Sequence, residues 1–362
     1  MSPLTVRALR ATAVEVPMNH VLGTSAAAVR AAPLLLIDLE TEEGVTGHAY
    51  LFCYLRGAAP AMAAMVAEVE RMVMGERTPP AELWPRLAKR FTLIGVQGIV
   101  RMAMAGFDVA WWDAHARAAG KPLAEFLGGT RRAVRAYNSC GLGLMGTEAL
   151  AREADELLEG GFTGIKLRLG YPTLEEDLAA VETVRSRLPA GIALMVDYNQ
   201  ALSVDEALRR GRAIDGYGLA WIEEPIRHDD YRGAARIARE LATPIQMGEN
   251  FSQPYALEEA IAARSCDLVM PDLERIGGVT GWLRAAGIAA DAGLAMSSHL
   301  FPEVSAHLLA VTPTCDWLEY VDWAQPVLQD PIRIVEGNAR IPDRPGNGME
   351  WDARAVERLR LP

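Results

Sequence analysis

The sequence predicts an α/β protein built on a (β/α)8 barrel of the TIM type, with a separate α+β capping domain. Three observations carry this. From about residue 133, eight short apolar runs alternate with amphipathic helical stretches. Such βαβα alternation implies a parallel sheet with helical crossovers, and eight strands are the number that closes a barrel. The first third of the chain has a different, mixed texture, and 362 residues suffice for two domains.

In chain order, "PLLLIDLETEEGVTGHAYLF" reads as two strands joined by a turn at Glu43-Gly44. Residues 56–128 read as helices. "GIVRMAMAGFDVAWWDAHARAAG" has apolar residues at helical spacing, with Trp111 and Trp112 read as core, and "PLAEFLGG" ends in a glycine stop. The eight runs are then "AVRAYNS", "GIKLRLG", "ALMVDYN", "LAWIEEP", "PIQMGEN", "DLVMPDLE", "LAMSSHL" and "DWLEYVD". Helical patterns such as "TEALAREADELLEGG" and "TLEEDLAAVETVRSRL" separate them. After about residue 325 the rhythm stops, and the turn-rich "RIVEGNARIPDRPGNGMEW" follows. The expected organisation is a capping domain over 1–128, a barrel over 129–324, and a segment 325–362 that packs back on the cap.

A formal net charge of -11 without a basic stripe argues against nucleic-acid binding. No apolar run reaches the roughly 18–20 residues of a membrane span. The N-terminus lacks a signal peptide's apolar stretch. Cys53, Cys140, Cys266 and Cys315 are scattered, as buried thiols of a reducing compartment would be. A cytoplasmic location is expected.

The informative feature is what ends each run. The second ends in Lys166 and Arg168, the third in Asp197 and Asn199, and the fourth in Glu223 and Glu224. Glu249, Asp272, His299 and Glu319 end the last four in turn. In a barrel all strand C-termini open on one face, where active sites sit. Asp197, Glu223 and Glu249 come from three successive βα units. Clustered carboxylates repel unless neutralised, and all-oxygen ligation suits a hard cation such as Mg²⁺. A set of ion pairs with Lys166 and Arg168 is the competing reading. Asp272 and His299 lie on neighbouring strand ends, and a carboxylate beside imidazole makes a general base. His48, His115 and His307 read as core histidines. A desolvated Glu319 could stay protonated and donate to a developing oxyanion. Together these groups would remove the proton next to a carboxylate and stabilise the enediolate that results.

These residues resemble the enolase superfamily, and within it the mandelate racemase subgroup (the mandelate racemase/muconate lactonizing enzyme family). The resemblance spans essentially the whole chain, through "APLLLIDLETEEGVTGHAYLFCY", "KLRLGYP", "MVDYNQ", "WIEEP", "QMGEN", "MPDLERIGGVTGW", "MSSHLFPEVSAHLLAVTPT", "WLEY" and "IPDRPGNGMEW". It implies a modified, enolase-like barrel under an α+β cap. It implies Mg²⁺ on Asp197, Glu223 and Glu249, a His299–Asp272 base, and Glu319 as electrophilic acid. It also implies that Lys166 and Ser139 touch a substrate carboxylate and Asn199 its α-hydroxyl, and it suggests a homo-oligomer.

The chain departs from mandelate racemase at "KLR", where that enzyme has Lys-x-Lys and uses the second lysine as a base. Arg168 is a poor base, because a guanidinium keeps its proton. A single-base dehydratase of acid sugars would not need it. The apolar segment "MNHVLGTSAAAVRAAP" with Phe52, Leu93, Leu300 and Val321 points instead to an apolar or aromatic 2-hydroxy acid, since a sugar acid wants hydrogen-bonding groups. Asn19, His20, Arg30 or Tyr54 could supply some of these. The whole-chain resemblance favours the racemase reading, with the dehydratase as alternative. A remote third is an NADP-dependent oxidoreductase. "GLGLMG" at 141–146 fits G-x-G-x-x-G after a strand, with Lys166 and Arg168 about 20 residues on.

Overall fold

The computed structural model describes residues 4–25 and 27–362. Its first part is an antiparallel meander of β1 (Val6–Gly23), β2 (Ala28–Thr41) and β3 (Thr46–Phe52). Strands β2 and β3 are the two expected around Glu43-Gly44. Strand β1 was not anticipated, because Arg7, Arg10, Glu15 and Pro17 interrupt its alternation. Its pairing with β2 shifts register between Pro17 and Leu22, beside a proline that cannot donate to the ladder.

Helices α1 (Ala59–Val73), α2 (Pro80–Arg90), α3 (Gly98–Ala118) and α4 (Leu123–Phe126) follow. The long α3 is buried nearly all round and carries Trp111 into the core. It lies so close to β3 that a Cβ on Gly47 would stand 2.0 Å from the Ala110 carbonyl oxygen. Only glycine permits that approach.

The eight expected runs become eight parallel strands: β4 (Val134–Asn138), β5 (Gly164–Arg168), β6 (Ala193–Asp197), β7 (Ile222–Glu223), β8 (Ile245–Met247), β9 (Leu268–Val269), β10 (Ala295–Met296) and β11 (Leu318–Tyr320). They pair in chain order from β4 to β10, and β11 pairs with β4. Backbone bonds from Met296 to Thr314 and Asp316, and from Ser298 to Trp317, bring β10 beside the approach to β11. The ladder is therefore barrel-like. Crossover helices flank it: α5 (Thr147–Glu156), α6 (Leu174–Arg187), α7 (Val204–Ile214), α8 (Tyr231–Glu240), α9 (Pro254–Ala263), α10 (Leu273–Ile276), α11 (Gly278–Asp291) and α12 (Pro302–Val311). Helix α6 opens with a reciprocal Thr173–Glu176 capping box, which satisfies two otherwise orphan amides.

The C-terminal segment divides between the two parts. The hairpin β12 (Arg333–Val335) and β13 (Asn338–Arg340) adds antiparallel to β4 of the barrel. Beyond it, Trp351 donates to Asp38 and the Leu361 amide to the Ala13 carbonyl, so the end of the chain, with α13 (Ala353–Leu359), rests on the cap. Among the described residues no helix is long and apolar enough to cross a membrane. The three core histidines are buried as expected.

Candidate active site

At the C-terminal ends of the third, fourth and seventh runs the chain turns out of the ladder. Non-glycine residues with positive φ mark these turns: Asn199 (45°), Gln200 (65°), Glu224 (33°), Leu300 (51°) and Phe301 (51°). Left-handed backbone is costly for such residues and clusters at functional sites. Here it splays strand-end side chains around one opening. Within the ladder, Arg168, Asp197 and Glu223 lie in register on adjacent strands. Lys166 and Arg168, two apart on β5, share the inner face, while Ile165 and Leu167 join the apolar core.

Asp197, Glu223 and Glu249 each bring a carboxylate oxygen within 4.8 Å of the others. Lys166, 1% exposed, has its Nζ 2.8 Å from Glu223 Oε1, 2.8 Å from Glu319 Oε1 and 3.4 Å from Asp197 Oδ2. One ammonium does not balance so many acids. Burial pushes the Glu223 carboxyl up to about 8 against the pull of Lys166, and raises Asp197 likewise. A buried, oxygen-only cluster with excess negative charge fits a hard divalent cation. The ion-pair reading is partly met by Lys166, but Arg168 pairs with no carboxylate among the described residues.

His299 Nδ1 lies 2.7 Å from Asp272 Oδ2, and the other Asp272 oxygen accepts the amides of Glu274 and Arg275 at the start of α10. The fixed aspartate makes Nδ1 the donor and turns Nε2 toward Glu249, 3.2 Å away. Burial disfavours the imidazolium, but Glu249, Glu319 and Asp272 outweigh it and lift His299 to about 9. Glu319 accepts from Ser139 Oγ at 2.8 Å and from the Leu300 amide at 2.9 Å. Its expected protonated state is not what this arrangement favours. Burial raises its pKa, but Lys166 and His299 together hold it well below the usual carboxylate range. The sequence could not place Lys166 against it.

A cavity of about 620 Å³ opens over these groups. Lys166, Arg168, Asp197, Asn199, Glu249, His299 and Glu319 line its floor, with Phe52, Tyr54, Leu300 and Arg30 around it. Asp272, Glu223 and Ser139 lie fully buried behind that surface. Leu93, expected in an apolar pocket, is instead fully exposed on the loop between α2 and α3. Val321 packs in the core. Asn19 and His20 bind Asp322 and Glu156 rather than facing the cavity.

Sequence reasoning missed Arg275, Asn250 and Trp323, which also line the cavity. Arg275 donates to the Glu249 carbonyl and Asn250 Oδ1 and stacks over Tyr54, 4.6 Å from the ring centroid. Its position three residues after Asp272, one turn along a helix, was the available signal.

The 141–146 glycines do not form a phosphate cradle. A Cβ on Gly143 would meet the Gly23 backbone nitrogen at 2.4 Å, and the Leu144 amide bonds the Gly23 carbonyl. This turn is filled by the tip of the cap, and Lys166 and Arg168 point into the barrel.

Residues 149–355 match the family model "Enolase C-terminal domain-like", and residues 7–128 match "Mandelate racemase / muconate lactonizing enzyme, N-terminal domain". Among solved structures, an enolase from alpha proteobacterium BAL199 with bound magnesium is 44% identical, with a TM-score of 0.97 over 99% of this chain and 100% of that one. An enolase from Bradyrhizobium, complexed with magnesium and mandelic acid, is 40% identical, with a TM-score of 0.95 over the whole of both chains. The L-talarate/galactarate dehydratase of Salmonella typhimurium is 31% identical over 89% of this chain and 81% of its own.

Proposed function

On the premise that this chain belongs to the enolase superfamily, in its mandelate racemase/muconate lactonizing enzyme group, we propose that it is a Mg²⁺-dependent enzyme removing the α-proton of a 2-hydroxycarboxylate. The observation that carries this is the meeting of the three-carboxylate cluster and the His299–Asp272 pair at one cavity. Asp197, Glu223 and Glu249 would hold the ion, which when bound supplies Lewis-acid stabilisation of negative charge on the substrate carboxylate. Lys166 is that carboxylate's counter-ion. With Glu249 committed to the ion, the pull that holds His299 charged would be relieved, and the neutral ring would take the α-proton on Nε2 while Asp272 fixes it and steadies the imidazolium. Once Lys166 turns its charge to substrate, burial favours a proton on Glu319, which then donates to the developing oxyanion. Asn199, whose Oδ1 is buried without a partner among the described residues, faces the α-hydroxyl. Phe52, Tyr54 and Leu300 receive the substituent.

The overall reaction that best fits one base is dehydration of a 2,3-dihydroxy acid. The C2–H electrons, held in the enediolate, form a C2–C3 double bond as the C3 hydroxyl leaves as water with the proton His299 took from C2, and the enol then moves its own proton to C3 through solvent to become a 2-keto acid. Racemisation of an apolar or aromatic 2-hydroxy acid is the second reading, favoured by the apolar wall. A panel of both acid classes with Mg²⁺ in D2O tests the proposal. Release of a 2-keto acid supports dehydration, and α-deuterium incorporation with inversion supports racemisation. A panel that gives neither α-exchange nor a 2-keto acid would sink both. His299→Asn should abolish α-exchange.

A further inference from the structure

We infer that Arg168 is a positioning residue that holds Ser139 against Glu319, and is not a second proton acceptor. Arg168 Nη1 donates to the carbonyls of Ser139 at 3.0 Å and Gly141 at 2.8 Å, and Nη2 donates to Ser139 Oγ at 2.7 Å. The Arg168 backbone amide also bonds the Leu142 carbonyl. Side chain and main chain thus grip one turn, residues 139–142, between β4 and α5. Ser139 Oγ spends its own hydrogen on Glu319 Oε1 at 2.8 Å.

The path from guanidinium to hydroxyl to carboxylate lies out of water, with Arg168 4%, Ser139 0% and Glu319 1% exposed. Hydrogen bonds in such surroundings are not diluted by solvent. A guanidinium has no lone pair to accept a proton. Its planar fork serves two carbonyls from one nitrogen and a hydroxyl from another in a fixed plane, whereas a lysine would have to reach all three from one nitrogen on a shorter, flexible stem. The turn needs such a clamp, because Leu142 is held at φ 51° immediately before the backbone contact with the cap at Gly143.

The inference rests on the proposed role of Glu319, so its test has one arm that does not need turnover. In a crystal structure of Arg168→Met, the Ser139 hydroxyl should leave Glu319 and the 139–142 turn should shift. An unchanged turn with that bond intact overturns the inference. The second arm uses whichever acid exchanges its α-proton. Arg168→Met and Ser139→Ala should each lower kcat about 10- to 100-fold, as loss of an orienting partner does, with KM changed less than about threefold. The double variant should be no slower than the slower single one. Arg168→Lys should resemble Arg168→Met. Multiplying losses in the double variant, or full recovery with lysine, overturns the inference. A wild-type protein that neither exchanges an α-proton nor releases a 2-keto acid refutes the proposed function, while the crystallographic arm still decides this one.

Discussion

Replacing Lys166 with methionine keeps the stem and removes the charge that three buried acids share. Its Nζ lies 2.8 Å from Glu223, 2.8 Å from Glu319 and 3.4 Å from Asp197, and it is 1% exposed. Removing one partner of a buried ion pair costs about 3–5 kcal/mol, because the other charge is left uncompensated. At about 2.1 cal/mol/K per residue, a loss of about 4 kcal/mol over 362 residues lowers the melting temperature by about 5 °C. The acids can partly escape by taking up protons. Glu223 is already pushed up to about 8 by burial with Lys166 present, and losing the ammonium lifts it further. A carboxyl whose folded pKa exceeds its unfolded value of about 4.3 contributes stability at low pH and loses it as pH rises. The gap between Lys166→Met and wild type should therefore widen from pH 6 to pH 9. Calorimetry in EDTA measures it, and excess Mg²⁺ should narrow it. A variant melting within about 1 °C of wild type at pH 9 in EDTA would show that Lys166 does not balance the cluster.

Further outcomes concern the base, the C-terminal segment and the joint with the cap. Asp272→Asn should slow α-proton exchange by about 10²- to 10⁴-fold without weakening Mg²⁺ binding, and a loss under tenfold contradicts the pairing at 2.7 Å. His48 is lifted to about 9, burial opposing and Asp38 and Glu350 prevailing. Its contribution is complete below about pH 6.5 and disappears as pH rises through 9. Its acidic partners are 30% and 42% exposed, so after solvent screening about 1–2 kcal/mol is at stake. Wild type should lose more melting temperature than His48→Gln between pH 6.5 and 10; parallel curves contradict this. Gly143→Ala would set a Cβ 2.4 Å from the Gly23 nitrogen. A cost of about 1–3 kcal/mol and faster proteolysis near residues 20–30 are expected, and unchanged cleavage would mean the joint yields freely.

The barrel was legible because each strand is a short apolar run flanked by amphipathic helices, and because the residues ending the runs carry charge. Asp197, Glu223, Glu249, Asp272, His299 and Glu319 all reach one region for that reason. Strand β1 was not legible, since its charges and Pro17 hide the alternation. Leu93 failed because an apolar residue on a loop carries no information about which surface the loop faces. The charge on Glu319 failed for a deeper reason. It depends on Lys166, 153 positions away in the chain (319 − 166), and only three-dimensional distance decides whether burial or attraction prevails. Arg168 could be recognised as unsuited to accepting a proton, but its acceptors, two backbone carbonyls and the Ser139 hydroxyl on one turn, are brought to it by the fold and show in no sequence pattern.

The meeting of Gly23 with Gly143 has a consequence for how such a protein diversifies. Main chain touches main chain there, so that contact asks for a glycine at 143, and Asn19 on Asp322 and His20 on Glu156 add side-chain bonds beside it. Leu22, Val29 and Ala31, which face the cavity from the same hairpin, are left out of that contact. Selection can exchange them for polar or bulkier residues and change which molecule is welcomed, without renegotiating how the cap is seated.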